Sequence, residues 1–246
     1  MRSSNPVFAN LEKQTFANDV ETASKSGINI KTIILVMVTI VTGFSSIFLA
    51  QAMPAGLLYG ILIGSGIFAF LAVMLAMFVP KIAAPMSILY AVMQGFTYGL
   101  LTWVLEAAFP GVASIALLGT GLVFAVMFVL YNTGLLRGSR LLRSVVFGSL
   151  LTVLVGSLVV GIIGLMNPQF IESFMSYELT VAISLILIVM GALMLTLDFE
   201  RAEMVAKSGL PKSYEWTVAL GFMVTLIWIY YNILRLAVTV MARNNN

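Results

Sequence analysis

Seven apolar runs separated by short polar breaks fill the chain from about its thirtieth residue onward: Thr32–Ala50, Leu57–Val79, Ala84–Leu105, Gly111–Tyr131, Ser144–Met166, Leu179–Leu197 and Trp216–Met241. Each is about 20 residues long or slightly more, enough to cross roughly 30 Å of hydrocarbon as a helix. The breaks carry residues that stop helices or seek water: Gln51 and Pro54, Pro80 and Lys81, Glu106 and Pro110, Asn167 and Pro168. Pro85 falls in the first turn of its run, where its missing N–H does no harm. Only helices and closed barrels satisfy the backbone in lipid, and the runs lack the period-two alternation of barrel strands. The pattern therefore predicts an all-α integral membrane protein of seven transmembrane helices. Residues 1–29 are polar and mixed in charge, which predicts a cytoplasmic tail with a short surface helix over residues 10–23. Residues 30–246 then form one transmembrane domain. The first apolar run starts too far into the chain to resemble a cleavable signal peptide.

Composition agrees with this reading: 61% of the 246 residues are hydrophobic, 9% are charged, and the mean hydropathy is +1.06. A soluble domain, with about 25% charged residues, cannot hide so much apolar surface. Cys and His are both absent, which excludes disulfides, thiolate catalysis and Cys or His metal sites. Any proton sensing falls to carboxylates, because the side chain that ordinarily titrates near neutrality is missing. Basic residues cluster by connection. The tail side holds Arg2, Lys13, Lys25 and Lys31, and the second connection holds Lys81. The fourth holds Arg137, Arg140 and Arg143, and the sixth holds Arg201, Lys207 and Lys212. The first, third and fifth connections have no basic residue. The positive-inside rule then predicts a cytoplasmic N-terminus and an outer C-terminus.

Candidate chemistry is sparse. There is no nucleotide loop, zinc motif or nucleophile–base pair, so an enzyme is not expected and no cofactor is called for. No metal-ligand set can be read, and nothing points to nucleic acid. Gly60 and Gly64, with Gly156, Gly161 and Gly164, have the spacing of close helix–helix contacts. The exception to apolar monotony is the stretch from Thr196 to Arg235. There the sixth run ends on Asp198, Glu203 and Glu215 follow, and the seventh run carries a polar face of Thr225, Asn232 and Arg235 with Trp228 and Thr239. A charge near the membrane core costs a few kcal/mol on insertion scales and usually faces protein or water. The polar face should therefore point inward, as on a central helix. Asp198, Glu203 and Glu215 are the candidate ion or proton gate, with Lys81 and Arg201 as candidate basic partners. Arg235 lies about 28 Å along its helix from Trp216, too far from Asp198 to pair with it. Glu106, Glu172 and Glu178 lie in outer connections, where they could gather cations.

Several segments resemble the bacterial branch of the Bax inhibitor-1 family, the transmembrane Bax inhibitor motif proteins. They are YAVMQGFTYGL, the run from PGVASIALLGTG to LLRSVV, and then LDFERAE, LPKSYEW and VTLIWIYYNILRL. The resemblance implies a C-terminal helix wrapped by the other six. It further implies a pH-sensitive cation leak, chiefly of calcium, in the bacterial inner membrane, gated near a pair of acids on the sixth and seventh helices. The family's helix-six acid falls on Asp198, whereas Thr225 stands where the helix-seven acid would be. Gln94 and Asn232 replace glutamates common in relatives, and Lys81 is the nearest residue to a basic latch at the end of the second helix. The partners implied are the lipid bilayer, calcium or protons, and possible neighbours within the membrane. The competing reading is a membrane-embedded regulator or scaffold, such as a modulator of a membrane protease, without transport activity.

Overall fold

The computed structural model describes residues 21–167, 170 and 176–244. The expected surface helix over 10–23 falls almost wholly outside them, as does Glu172. Among the described residues seven helices are long and apolar enough to cross a membrane: α1 (Lys25–Ala52), α2 (Ala55–Phe78), α3 (Ala83–Ala108), α4 (Val112–Asn132), α5 (Arg140–Met166), α6 (Tyr177–Lys207) and α7 (Ser213–Asn244). A 3₁₀ turn, Pro80–Ile82, joins α2 to α3. The chain is a multi-pass membrane protein.

Two boundaries differ from the apolar pattern. α1 begins at Lys25, inside the stretch read as tail, because Ser24 caps it and its hydroxyl accepts from the Gly27 N–H at 3.0 Å. α6 runs ten residues past Leu197. Charged residues end an apolar run without ending a helix, and Glu, Arg, Ala and Lys are good helix formers. Lys207 donates to Glu203 one turn earlier at 2.6 Å, and Gly209, with φ of +67°, turns the chain toward α7.

α7 is the axis. Buried residues make up 56% of its most apolar stretch, against 6% for α5. Three buried clusters lie along it. Leu220, Met223 and Ile227 pack with Leu35 of α1 and Tyr90 and Ala91 of α3. Val218, Phe222 and Ile229 pack with Leu195 and Phe199 of α6 and Met127 of α4. Leu234 and Ala237 pack with Val112 and Ala116 of α4. The expected wrapping by all six other helices is not what is seen. α1, α3, α4 and α6 pack along α7 and α2 touches it only slightly, while α5 lies outside and leans chiefly on α6. α5 has only Val146 fully buried, so most of its apolar surface is left to lipid.

Four of the five glycines expected to carry close helix contacts do not. A Cβ at Gly60, Gly64, Gly156 or Gly161 would meet nothing. Spacing identified small residues without saying which way they face. The tight seam is between α1 and α3, where a Cβ on Gly99 would strike the backbone of Gly43 and one on Gly95 would strike Thr39 and Thr42. Hydroxyls fasten this side further: Thr39 donates to the Ala91 carbonyl at 3.2 Å, and Ser65 meets Thr97 at 2.5 Å.

Candidate functional site

α6 and α7 are joined by a short turn, so their polar residues face each other along one antiparallel seam. Asp198, partly buried near the end of the apolar part of α6, accepts a hydrogen bond from the Thr225 hydroxyl at 2.6 Å. Gly221, one turn before Thr225, leaves room beside it, and a Cβ there would sit 3.5 Å from the carboxylate. Farther along, the Trp228 indole donates to the Leu187 carbonyl at 3.1 Å. Asn232 donates from its amide to the Trp228 carbonyl of its own helix at 2.8 Å. Its buried carbonyl oxygen and the Ser184 hydroxyl have no hydrogen-bond partner among the described residues. The polar face of α7 thus does point inward, as a helix of this burial requires. Arg235 is partly buried and makes no ion pair among the described residues, in line with its depth.

The three candidate gate acids do not form one cluster. Glu203 lies toward the solvent end of α6, where the Tyr131 hydroxyl donates to one oxygen at 2.6 Å. Its other oxygen takes Lys207 at 2.6 Å and Lys25 at 3.9 Å. Glu215 is fully buried at the start of α7. It pairs with Lys31 and accepts from the Ser24 backbone N–H at 2.8 Å and hydroxyl at 3.1 Å. Gly27 packs so closely on this carboxylate that a Cβ there would force it to move. Of the three, only Asp198 forms no ion pair among the described residues.

The proposed basic partners also require correction. Lys81 and Arg201 are both exposed, and neither forms an ion pair with Asp198 or with any other acid among the described residues. An exposed ammonium or guanidinium is well hydrated and gains little from reaching toward a carboxylate turned into a helix seam. Glu106 is occupied as well, because its two oxygens accept from the Gly111 and Ala113 N–H groups at 2.7 and 2.8 Å at the start of α4. That is the service a carboxylate performs at a helix N-terminus.

Sequence reasoning missed the strap. Residues 21–24 cross the α6–α7 turn in extended form, with Thr22 bridged to Pro211. The Ala23 N–H donates to the Leu210 carbonyl and the Lys212 N–H to the Glu21 carbonyl, both at 2.8 Å. Glu21 also pairs with Lys212 and raises the lysine's pKa above its ordinary value. Stability linked to a raised lysine is present below its unfolded value and is lost only as alkali titrates the folded group. The one available signal was Lys31, a lone cation at the edge of the first apolar run.

Among the described residues no group of three or more acids could hold a metal ion. No curated protein matches the chain. The profile of one family, described as Bax inhibitor 1 like, matches residues 5–242, all but the two extremes of the sequence. With seven spans, a central α7 and Asp198 turned toward it, the chain belongs to the Bax inhibitor 1 like family.

Proposed function

We propose that the protein is a pH-sensitive cation leak of the inner membrane, with calcium as its chief ion and the Asp198–Thr225 contact as its gate. The N-terminus lies in the cytoplasm and the C-terminus outside. One observation carries this reading: Asp198 is a carboxylate within a span, held by the Thr225 hydroxyl and in no ion pair among the described residues. Protonation would change the charge and hydrogen bonding at the point where α6 meets α7, and an intramembrane acid is by default a functional candidate. The absence of a multi-acid cluster among the described residues suits a leak, since conduction needs binding weak enough for the ion to leave. A second reading has its own support. Glu203 and Glu215 are both tied into links between helices, as in a scaffold whose polar groups hold its shape.

Calcium release from liposomes holding the purified full chain distinguishes the two. Wild type should pass calcium at a rate that differs between acidic and neutral pH, and Asp198→Asn should pass it at one rate throughout. If wild type carries no cation at either pH, and Asp198→Asn lowers only thermal stability, the leak fails and the scaffold reading replaces it.

A further inference from the structure

A cleft of about 330 Å³ runs between α1 and α4, at the end of the bundle where α6 and α7 turn, with side chains of α6 and α7 as its floor. Its polarity falls in the same direction on both walls. Stepping up α1 from its start, the lining passes from Lys25 through Asn29 to Ile33, and stepping back from the end of α4 it passes from Asn132 to Phe128 and Phe124. Ile33 and Phe128 are 62% and 46% exposed, so the apolar part opens toward lipid. A cleft with charge and amides at one end and aromatic and aliphatic walls at the other matches an amphiphile lying along the helices.

The unspent charge at the polar end is positive. Glu203 is the acid lining the cleft, and both its oxygens are taken by Tyr131 and Lys207. Lys25 stands 3.9 Å from it with a side chain 60% exposed, so most of its hydrogen-bonding capacity remains open. The Asn29 and Asn132 amides are exposed and make no hydrogen bond among the described residues. Lys25 and Lys207 against Glu203 leave one net positive charge beside two free amides. Basic pockets between transmembrane helices at a headgroup layer take anionic headgroups.

We propose that this cleft is a binding site for one anionic phospholipid. Its phosphate is held by Lys25 with Asn29 and Asn132, and an acyl chain lies between Ile33 and Phe128 toward Phe199.

Native mass spectrometry of the full chain in a mild detergent, titrated with phosphatidylglycerol and with phosphatidylcholine, tests the assignment. Wild type should bind phosphatidylglycerol more tightly by about fivefold or more, the order expected for one added basic contact at the headgroup. Lys25→Gln should remove most of that preference. Thr32→Trp, which fills the cleft without touching its charge, should weaken both lipids. Lys81→Gln, which removes a basic residue outside the cleft, should leave binding unchanged, and inorganic phosphate should not displace the lipid. The proposal is overturned if Lys81→Gln and Lys25→Gln lose binding equally, if Thr32→Trp binds as wild type, or if inorganic phosphate competes. Thermal melting of each variant separates loss of binding from loss of fold.

Discussion

Asp198 and Glu215 show how the same chemical group is put to different use by its surroundings. Glu215 is fully buried but has a full set of donors in Lys31 and Ser24, which fixes it as a structural charge. Its removal would strand Lys31, whose side chain is only 12% exposed. Breaking one side of such a pair costs about 3–5 kcal/mol, whereas replacing both partners with apolar groups is often neutral. Glu215→Ala should therefore lower stability strongly, and Glu215→Ala with Lys31→Met should recover much of the loss in thermal melts of the purified protein. Simple addition of the two single losses would show that the residues do not act as a pair. For Asp198 the corresponding change is Thr225→Val, which takes away its hydroxyl donor. Leaving a carboxylate oxygen unsatisfied at a helix seam costs about 1–3 kcal/mol. Loss of stability in Thr225→Val should be relieved when Asp198→Asn is added, and an unrelieved loss would place the role of Thr225 elsewhere.

The helices themselves were legible because hydrocarbon thickness imposes their length and forbids open backbone, so hydropathy alone located all seven. Their facing was not, since nearly every side chain in a span is apolar whether it meets lipid or protein. Gly60 and Gly99 look alike in sequence, yet only Gly99 is pressed against another backbone. Gly99→Ala should push α1 from α3 and destabilise the bundle by about 1–3 kcal/mol, the usual cost of overpacking, while Gly60→Ala should be nearly silent in the same melt. Equal effects would remove the α1–α3 seam as the tight contact. Asp198 was legible as a candidate for the opposite reason: a charge at the end of an apolar run is costly and stands out. The resemblance marked Thr225 only as standing where a second acid would be, and its hydrogen bond to Asp198 was not legible in the sequence. The contacts of Glu203 and Glu215 were not legible because their partners, Tyr131 and Lys31, lie on other helices and leave no mark in the local pattern.

For the molecule as a whole, charge decides orientation. Lys81 and the α4–α5 connection lie at the end where α6 turns into α7, and Pro110 at the other. Lys81→Cys should be shielded from an impermeant thiol reagent in intact cells and Pro110→Cys should react, with no background because the chain has no cysteine of its own. The opposite labelling would reverse the proposed topology. The strap adds a constraint in time. Ser24 and Glu215 are 191 residues apart, and at about 5–20 residues per second of synthesis roughly 10–40 s pass before the acid follows the serine out of the ribosome. Throughout that interval α1 has been made while Lys31 lacks its counter-charge. The lysine must then stay at the water boundary, which holds the first helix at its proper depth until the last one arrives to claim it.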